Sequence, residues 1–238
     1  MWGKAAIFGA LTLIASQAQA DYQCSVNPQD DVVISPQSVQ VVGANGNLLI
    51  SPQGDVQRNG QPQKIDAATR QKAIDYQAAL RRDLPWIDNG ARYRLEQGRQ
   101  ALDRVIVDKL GADSNVRSRL TSLDQQLRQQ MNRIIEHRSD GLTFHHQAIE
   151  QVRQDGEGLV QRAMGGVLQD SLNEMGTRQT GNNSNPLQAV LGNLGGLQQA
   201  IQAEWSNQEQ DFQNFGHEVC DRVTALENQR KGLVAALK

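Results

Sequence analysis

The pattern of apolar and polar positions along the chain changes at Ile65. Before Ile65, short β-prone runs alternate with segments rich in residues that favour turns. These runs cover residues 32–34, 39–42, 48–50 and 56. Asn-Gly pairs occur at residues 45–46 and 59–60, as is typical of tight hairpins. The pattern predicts a three- or four-stranded antiparallel meander in residues 21–65, with one face resting on the helices that follow.

Beyond Ile65 the apolar residues recur at helical spacing, which predicts a mainly α-helical domain over residues 66–238. Asp66 is expected to cap a first helix, and Pro85 to begin a second one that ends at Gly111. A third helix is predicted along the apolar stripe Val116, Leu120, Leu123, Leu127, Met131 and Ile134. The predicted fold class is therefore α+β, a small N-terminal antiparallel β-meander followed by a bundle of long antiparallel helices.

Two further helices are predicted, from about residue 143 to 175 and from about residue 187 to the end. The segment between them, residues 177–186, is polar and ends in proline, so a mobile loop is expected. Five residues of the last helix recur at a strict interval of seven: Trp205, Phe212, Val219, Leu226 and Leu233. This interval is typical of a coiled-coil seam, and packing within one chain and pairing between two chains are both open.

Seven glycines interrupt the two predicted helices beside this loop: Gly156, Gly158, Gly165, Gly166, Gly192, Gly195 and Gly196. Each one costs roughly 1 kcal/mol against alanine in a helix interior. Close helix contact, breaks in the helices and an adaptable hairpin tip that meets a partner are three explanations for them. The third explanation gives the candidate partner-binding residues Met164, Gly165, Gly166, Leu194, Gly195 and Gly196. Trp86 is a further candidate, with the alternative that it anchors the meander to the bundle.

The first twenty residues have the layout of a secretory signal peptide. Lys4 is followed by an uncharged apolar stretch and by an A-x-A sequence, so cleavage is expected between Ala20 and Asp21. A retained anchor helix is the alternative, but the apolar stretch is shorter than the ~20 residues that span a bilayer. The residues directly before Cys24 are not small, so lipidation is not expected, and no transmembrane anchor is expected after cleavage.

The net charge and the two cysteines indicate which partners and which covalent bond to expect. Cleavage would remove Lys4 and leave 23 basic and 26 acidic residues, a net charge of −3. A protein that grips nucleic acid through its phosphates carries a basic excess, so nucleic acid is not an expected partner. Cys24 and Cys220 are the two cysteines, and in an oxidising compartment they are predicted to form a disulfide. The alternative, a redox-active pair, usually has CxxC spacing.

Three of the four histidines fall in one short segment: His137, His145 and His146. The turn residues at 140–141 and a cap at Thr143 predict that this segment is the corner of an antiparallel helical hairpin. The alternative is a metal site with ligands from His145, His146 and Glu150, although the spacing falls short of an HExxH motif. No GxSxG, P-loop, GxGxxG or SxxK motif occurs, so the protein is not expected to be an enzyme and no cofactor is implied.

Several segments resemble those of the YggN-like family of secreted enterobacterial proteins, a domain of unknown function. They are SPQSVQVVGANGNLLISPQGD, LPWID, QMNRIIEHRSDGLTFHHQAIEQVR and AMGGVLQDSLNEMG, with a terminal cysteine in GHEVCDRV. The resemblance spans essentially the whole mature chain, and residues 130–176 are its most specific part. It implies a periplasmic location and supplies no activity, cofactor or catalytic residue.

These patterns favour a periplasmic, non-enzymatic protein that binds another envelope protein or a hydrophobic segment, as a structural or chaperone-like factor. Two alternatives stay open. One is a hydrolase acting on cell-wall material, whose acid–base residues converge only in the fold. The other is a metal- or small-ligand-binding protein that uses the segment from His137 to His146. The oligomeric state is not predicted.

Overall fold

A computed structural model of the chain describes residues 24–44, 46–178 and 186–237, with the backbone alone over 175–178 and 186–194. In this part of the chain there are four long helices that pack antiparallel and one antiparallel sheet, which confirms the α+β class. The helices are α1 (Ala67–Leu110), α2 (Val116–Ile134), α3 (Ala148–Arg178) and α4 (Pro186–Ala236). The predicted signal peptide with its Ala20–Asp21 cleavage site, and residues 179–185 of the predicted loop, lie outside the described residues.

The sheet has seven strands within the described residues. They are β1 (Asp30–Ile34), β2 (Val39–Gly43), β3 (Leu48–Ile50), β4 (Val56–Arg58), β5 (Gln61–Pro62), β6 (Ile135–Arg138) and β7 (Gly141–Phe144). Their spatial order is β5-β4-β3-β2-β1-β7-β6, and every neighbouring pair is antiparallel. The first five strands form the predicted meander, with one strand more than expected. Alternate residues of β1, β2 and β3 are buried, so one face of the meander rests on the helices.

The last two strands correct the prediction for the histidine segment. Residues 135–144 are a β-hairpin, and the expected helical corner is wrong. Leu142 and Phe144 are buried on the core face of the sheet, and they lie opposite Ile34 and Val32 of β1. Thr143 therefore lies in a strand and caps no helix. The free edge of β1 decides this outcome, because a strand there gains backbone hydrogen bonds and an apolar face that a local helix corner would not supply.

A second correction concerns the first two predicted helices, which are one continuous helix. Asp66 caps α1 as expected, since its carboxylate accepts a hydrogen bond from the Thr69 backbone N–H at 2.7 Å. Pro85 lies inside α1 and does not begin a new helix. A proline in a helix interior costs about 3 kcal/mol. Burial of Leu84, Ala101 and other apolar α1 residues on both sides of the proline offsets this local cost.

Within the residues that the structure describes, the helices and the sheet enclose two apolar cores. The first core joins the sheet to α1 and to the end of α4, and Tyr76, Leu226 and Leu233 are among its members. The second core joins the four helices farther from the sheet, through Ile106, Leu110, Val116, Leu120, Val167 and Leu197. Between the two cores α1 lies alongside α4, and the candidate site lies on this part of α4. None of the helices in the described residues is long and apolar enough to cross a membrane.

Candidate functional site

Two aromatic side chains of the predicted seam are exposed on the surface of α4. Trp205 is 54% exposed and Phe212 is 38% exposed, whereas Leu226 and Leu233 of the same seam are buried. The rings of Trp205 and Phe212 stack on each other, with centroids 6.1 Å apart and planes within 18°. Residues at a strict interval of seven drift about 20° per heptad on a straight helix. The seam therefore turns from the core of this chain at its C-terminal end towards solvent at Trp205.

The segment of the chain that carries the aromatic pair is acidic. Residues 179–221 contain no lysine or arginine and five acidic residues: Glu204, Glu209, Asp211, Glu218 and Asp221. Glu209 follows Trp205 by four residues and precedes Phe212 by three, so the three side chains share one face of α4. Gln213 donates to the Glu209 carboxylate at 3.3 Å, and among the described residues no lysine or arginine pairs with that carboxylate. Glu209 thus places an uncompensated negative charge on α4 between the positions of the two aromatic residues.

A ladder of arginine and aromatic side chains fixes this part of α4 against α1. The Arg94 guanidinium lies 4.0 Å from the ring centroid of Phe215, and Phe215 contacts Trp86 with centroids 5.4 Å apart. Arg222 lies 3.9 Å from the ring centroid of Trp86 and pairs with buried Asp83. Burial alone would raise the pKa of Asp83, but hydrogen bonds from Arg82 and Arg222 lower it. The part of α4 next to the exposed aromatic pair is therefore held in place by its contacts with α1.

The ladder also accounts for Trp86, which the sequence offers as a partner-binding residue. Trp86 is half-buried between Phe215 and Arg222, so it joins α1 to α4. An aromatic pair of this kind contributes about 0.5–1.5 kcal/mol beyond the burial of the rings. A contact between Trp86 and a partner stays a prediction.

The glycines of α3 and α4 do not break these helices, which are continuous through them. A side chain at Gly165, Gly195 or Gly196 would meet no atom within 4 Å, so close helix contact does not explain these three positions. Gly166 differs, because a Cβ there would overlap the Arg119 guanidinium. Met164 is half-buried, and the side chain of Leu194 lies outside the described residues. Of the three explanations, contact with a partner stays a prediction for Gly165, Gly195 and Gly196.

The histidines of the hairpin each face a carboxylate. His137 Nε2 lies 2.7 Å from Asp88 Oδ2, and His146 Nδ1 lies 2.6 Å from Asp31 Oδ1. His145 lies between Asp31 and Glu136, at 3.5 Å from each carboxylate. Burial would raise the pKa of Asp31, and hydrogen bonds from the His146 backbone and ring lower it below its ordinary value. These pairs join the hairpin to β1 and α1.

The predicted alternative of a metal site would use Glu150 together with His145 and His146. Glu150 accepts hydrogen bonds from Arg153 and Gln154, which lower its pKa to about 2. It is therefore engaged by cations and amides on its own helix. Among the described residues no group of three or more His, Cys, Asp or Glu side chains could hold a metal ion.

The predicted disulfide is present between Cys24 and Cys220, whose Cα atoms are 5.5 Å apart. It joins the segment that leads into β1 to the middle of α4, across 196 residues of sequence. Cys220 lies eight residues beyond Phe212 on α4, so the bridge adds a covalent link beside the arginine–aromatic ladder.

Comparison with known proteins agrees with the resemblance seen in the sequence. A family model described as "Protein of unknown function (DUF2884)" matches residues 24–238. The chain belongs to the DUF2884 family. It is 59% identical over 239 residues to the proteins described as "Uncharacterized protein YggN" from Escherichia coli strains K12, O6:H1 and O157:H7, with 100% of each chain covered. No solved structure matches it.

Sequence reasoning identifies the seam of this DUF2884 protein but not which half of it is exposed. The five seam residues have the same spacing, and their spacing alone does not distinguish Trp205 from Leu233. The absence of lysine and arginine over residues 179–221 is the signal that could have separated the two halves. The buried half of α4 carries Arg222, Arg230 and Lys231, and two of these pair with carboxylates of other elements.

Proposed function

We propose that this DUF2884 protein is a non-enzymatic binding protein of the periplasm, which holds another polypeptide on the exposed part of α4. The observation that carries the proposal is the stacked pair Trp205–Phe212, which is exposed on the same seam whose Leu226 and Leu233 are part of a core. Exposed apolar surface rimmed by polar residues marks interaction sites, and tryptophan is enriched among the residues that dominate binding energy.

The periplasmic location is supported by two features of different kinds. A disulfide such as Cys24–Cys220 persists in oxidising compartments. The first twenty residues have the charge, length and A-x-A end of a secretory signal. Together they favour export of the chain to an oxidising compartment, in which the disulfide forms.

Two acidic side chains of the described part of the chain, Glu96 and Glu150, are poor candidates for acid–base catalysis. General acid–base catalysis needs groups that titrate near the working pH. Hydrogen bonds from Arg99 and Gln100 lower the pKa of Glu96 to about 2, and Glu150 has a pKa of about 2 for a similar reason. Carboxylates held ionised in this way stabilise helices and are poor proton donors at neutral pH.

Site-specific crosslinking in living cells tests the proposal. A photoreactive phenylalanine analogue is placed at Trp205, and a second variant carries it at Tyr93 of α1, which is 61% exposed. We expect an adduct with another polypeptide from position 205 and none from position 93. Adducts from both positions in equal yield, or from neither one, would contradict a binding site at Trp205.

A further inference from the structure

We infer that the partner presents a basic amphipathic helix to the surface formed by Trp205, Glu209 and Phe212, named here the aromatic–acidic ridge. This inference rests on the proposed function and specifies the chemistry of the partner at that site. It follows from the spacing of the aromatic side chains, the charge around them and the continuity of the ridge with an interface inside the chain.

The spacing favours a helix as the occupant. Trp205 and Phe212 are two helical turns apart and lie on the same seam as Leu226 and Leu233, which pack inside this chain. A seam with a seven-residue interval accepts side chains of a second helix at a crossing angle near +20°. The ridge therefore continues, outside the chain, the type of packing that α4 already makes within it.

The charge favours a basic occupant. Residues 179–221 carry a net charge of −5, counting histidine as neutral. Asp211 pairs with Arg94 at 3.0 Å, but the carboxylates of Glu204 and Glu209 receive only glutamine amides within the described part of the chain. Lysine or arginine beside the apolar face of a partner helix would compensate these charges and could stack on the exposed rings.

The same charge argues against two other occupants. In a symmetric dimer the same patch meets itself, so a second copy would bring Glu204 and Glu209 of one chain towards those of the other. Like charges across an interface oppose association. An anionic lipid surface is disfavoured for the same reason, because it attracts basic segments and repels acidic ones.

A pair of matched peptides tests the inference on the mature, disulfide-bonded protein. Both peptides have about 18 residues, or five helical turns, with the same leucine heptads. One peptide carries lysine at its flanking positions and the other carries glutamate. Fluorescence anisotropy of the labelled peptides measures the dissociation constants. We expect the lysine peptide to bind about tenfold or more tightly than the glutamate peptide, and the difference to shrink as salt is added.

Variants locate the binding on the protein. Trp205→Ala and Phe212→Ala should each weaken binding of the lysine peptide by about tenfold, as loss of a central aromatic residue does in other interfaces. Glu209→Gln should weaken it by about twofold to fivefold and reduce its salt dependence. Tyr93→Ala, which removes an aromatic ring of similar exposure from α1, should leave binding unchanged. Circular dichroism melting establishes that each variant is folded.

Several outcomes would overturn the inference while leaving the proposed function intact. They are equal binding of the two peptides, undiminished binding by the folded Trp205→Ala variant, and a dimer in sedimentation that Trp205→Ala abolishes. A crosslinked partner at position 205 together with no affinity for the lysine peptide would also overturn the basic helix and preserve the binding role. Absence of a crosslinked adduct at position 205 would instead remove the proposed function itself.

Discussion

Gly90 and Gly98 lie two turns apart on α1, and both lie on the side of that helix that meets α4. A Cβ at Gly90 would overlap the ring of Phe215, which leaves no space for it. A Cβ at Gly98 would meet only the Gln208 side-chain oxygen, at 3.6 Å, which is an ordinary contact. Glycine is therefore required at one position by packing and is only tolerated at the other.

Alanine substitutions at these two glycines should have opposite effects on stability. Gly90→Ala is expected to lower the free energy of unfolding by about 1–3 kcal/mol, because Phe215 must move from its place in the ladder. Gly98→Ala is expected to raise it by up to about 1 kcal/mol, because alanine favours the helix. Urea unfolding followed by circular dichroism measures both values. Effects of the same sign would contradict the packing of Phe215 against Gly90.

Arg230 is a buried cation that holds two carboxylates together. It is 9% exposed and pairs with Glu227 on its own helix and with buried Asp30 of β1. Tyr76 packs in the same core, and burial raises its pKa well above the ordinary value. Lys231 is adjacent in sequence but mostly exposed, and its ammonium lies 3.5 Å from Glu227.

Removing these two cations should therefore have unequal consequences. Arg230→Met is expected to lower the free energy of unfolding by about 3–5 kcal/mol, because it leaves Asp30 and Glu227 without their buried partner. Lys231→Met should change it by less than about 1 kcal/mol, as is usual for an exposed ion pair. Thermal melts and urea unfolding of both variants measure the two losses of stability. Equal losses would show that Arg230 does not stabilise Asp30 and Glu227 more than Lys231 does.

The same cluster predicts a dependence of stability on pH. Hydrogen bonding from Arg230 holds the pKa of Glu227 below its ordinary value. The unfolded chain has a glutamate pKa of about 4.3, so this contribution is complete above that pH and is lost as the pH falls through the lower folded value. Arg230→Met should flatten the slope of stability against pH in this acid window. Wild type and variant with identical slopes would contradict the assignment.

At the scale of elements, the hairpin of β6 and β7 shows how far local sequence can be misleading. The sequence predicts the chain reversal at residues 140–141, which the structure confirms, but it predicts helices on the two sides of that turn, where the structure has strands. Leu142 and Phe144 alternate with polar neighbours, a short pattern that a helix also accommodates. Pairing with β1, more than one hundred residues earlier, selects the strand.

Gly141 is the residue on which this hairpin depends most directly. Its φ is +151°, and a Cβ there would overlap the backbone carbonyl oxygen of Ile34 in β1. Gly141→Ala should therefore separate β7 from β1 and lower the free energy of unfolding by more than about 2 kcal/mol. Gly60→Ala is the control, since Gly60 also has a positive φ of +79° but open space around it, and should cost only about 1 kcal/mol. Equal losses of stability in the two variants would indicate that the positive φ alone, and not the contact with Ile34, sets the cost of the substitution.

Helix α1 begins where the sequence predicts, but it is longer than the sequence predicts. Its beginning at Asp66 was predicted correctly, because a cap is a local hydrogen bond that sequence spacing specifies. Its continuation through Pro85 was not, because it depends on the cores that α1 contacts on either side. The tendency of proline to end a helix applies to a helix considered by itself. In α1, the free energy gained by tertiary packing is larger than the free energy that Pro85 costs.

At the scale of the whole molecule, the disulfide Cys24–Cys220 joins the beginning of the described chain to α4. A bridge that closes 196 residues lowers the entropy of the unfolded chain, which on the loop-closure model stabilises the fold by up to about 5 kcal/mol. A Cys24→Ser/Cys220→Ser variant should show this loss in urea unfolding while keeping its helical circular dichroism. Non-reducing peptide mapping of the wild type should find the linked peptide, and two free thiols would contradict the bridge.

The sequence by itself determined the features that depend on neighbouring residues or on composition. These are the meander before Ile65, the cap at Asp66, the apolar stripes of α2 and α4, and the pairing of the two cysteines, which had no other partner. Hydrophobic periodicity, turn chemistry and capping act over a few residues, so a single chain records them directly.

Only the tertiary structure decided which apolar residues are covered. It placed β7 on the edge of β1, carried α1 through Pro85, and buried Leu233 while exposing Trp205 on the same seam. Each of these outcomes depends on contacts between residues far apart in sequence, whose free energies exceed local preferences. The exposed half of the seam, and with it the aromatic–acidic ridge, therefore becomes visible only when α4 is seen against α1 and the sheet.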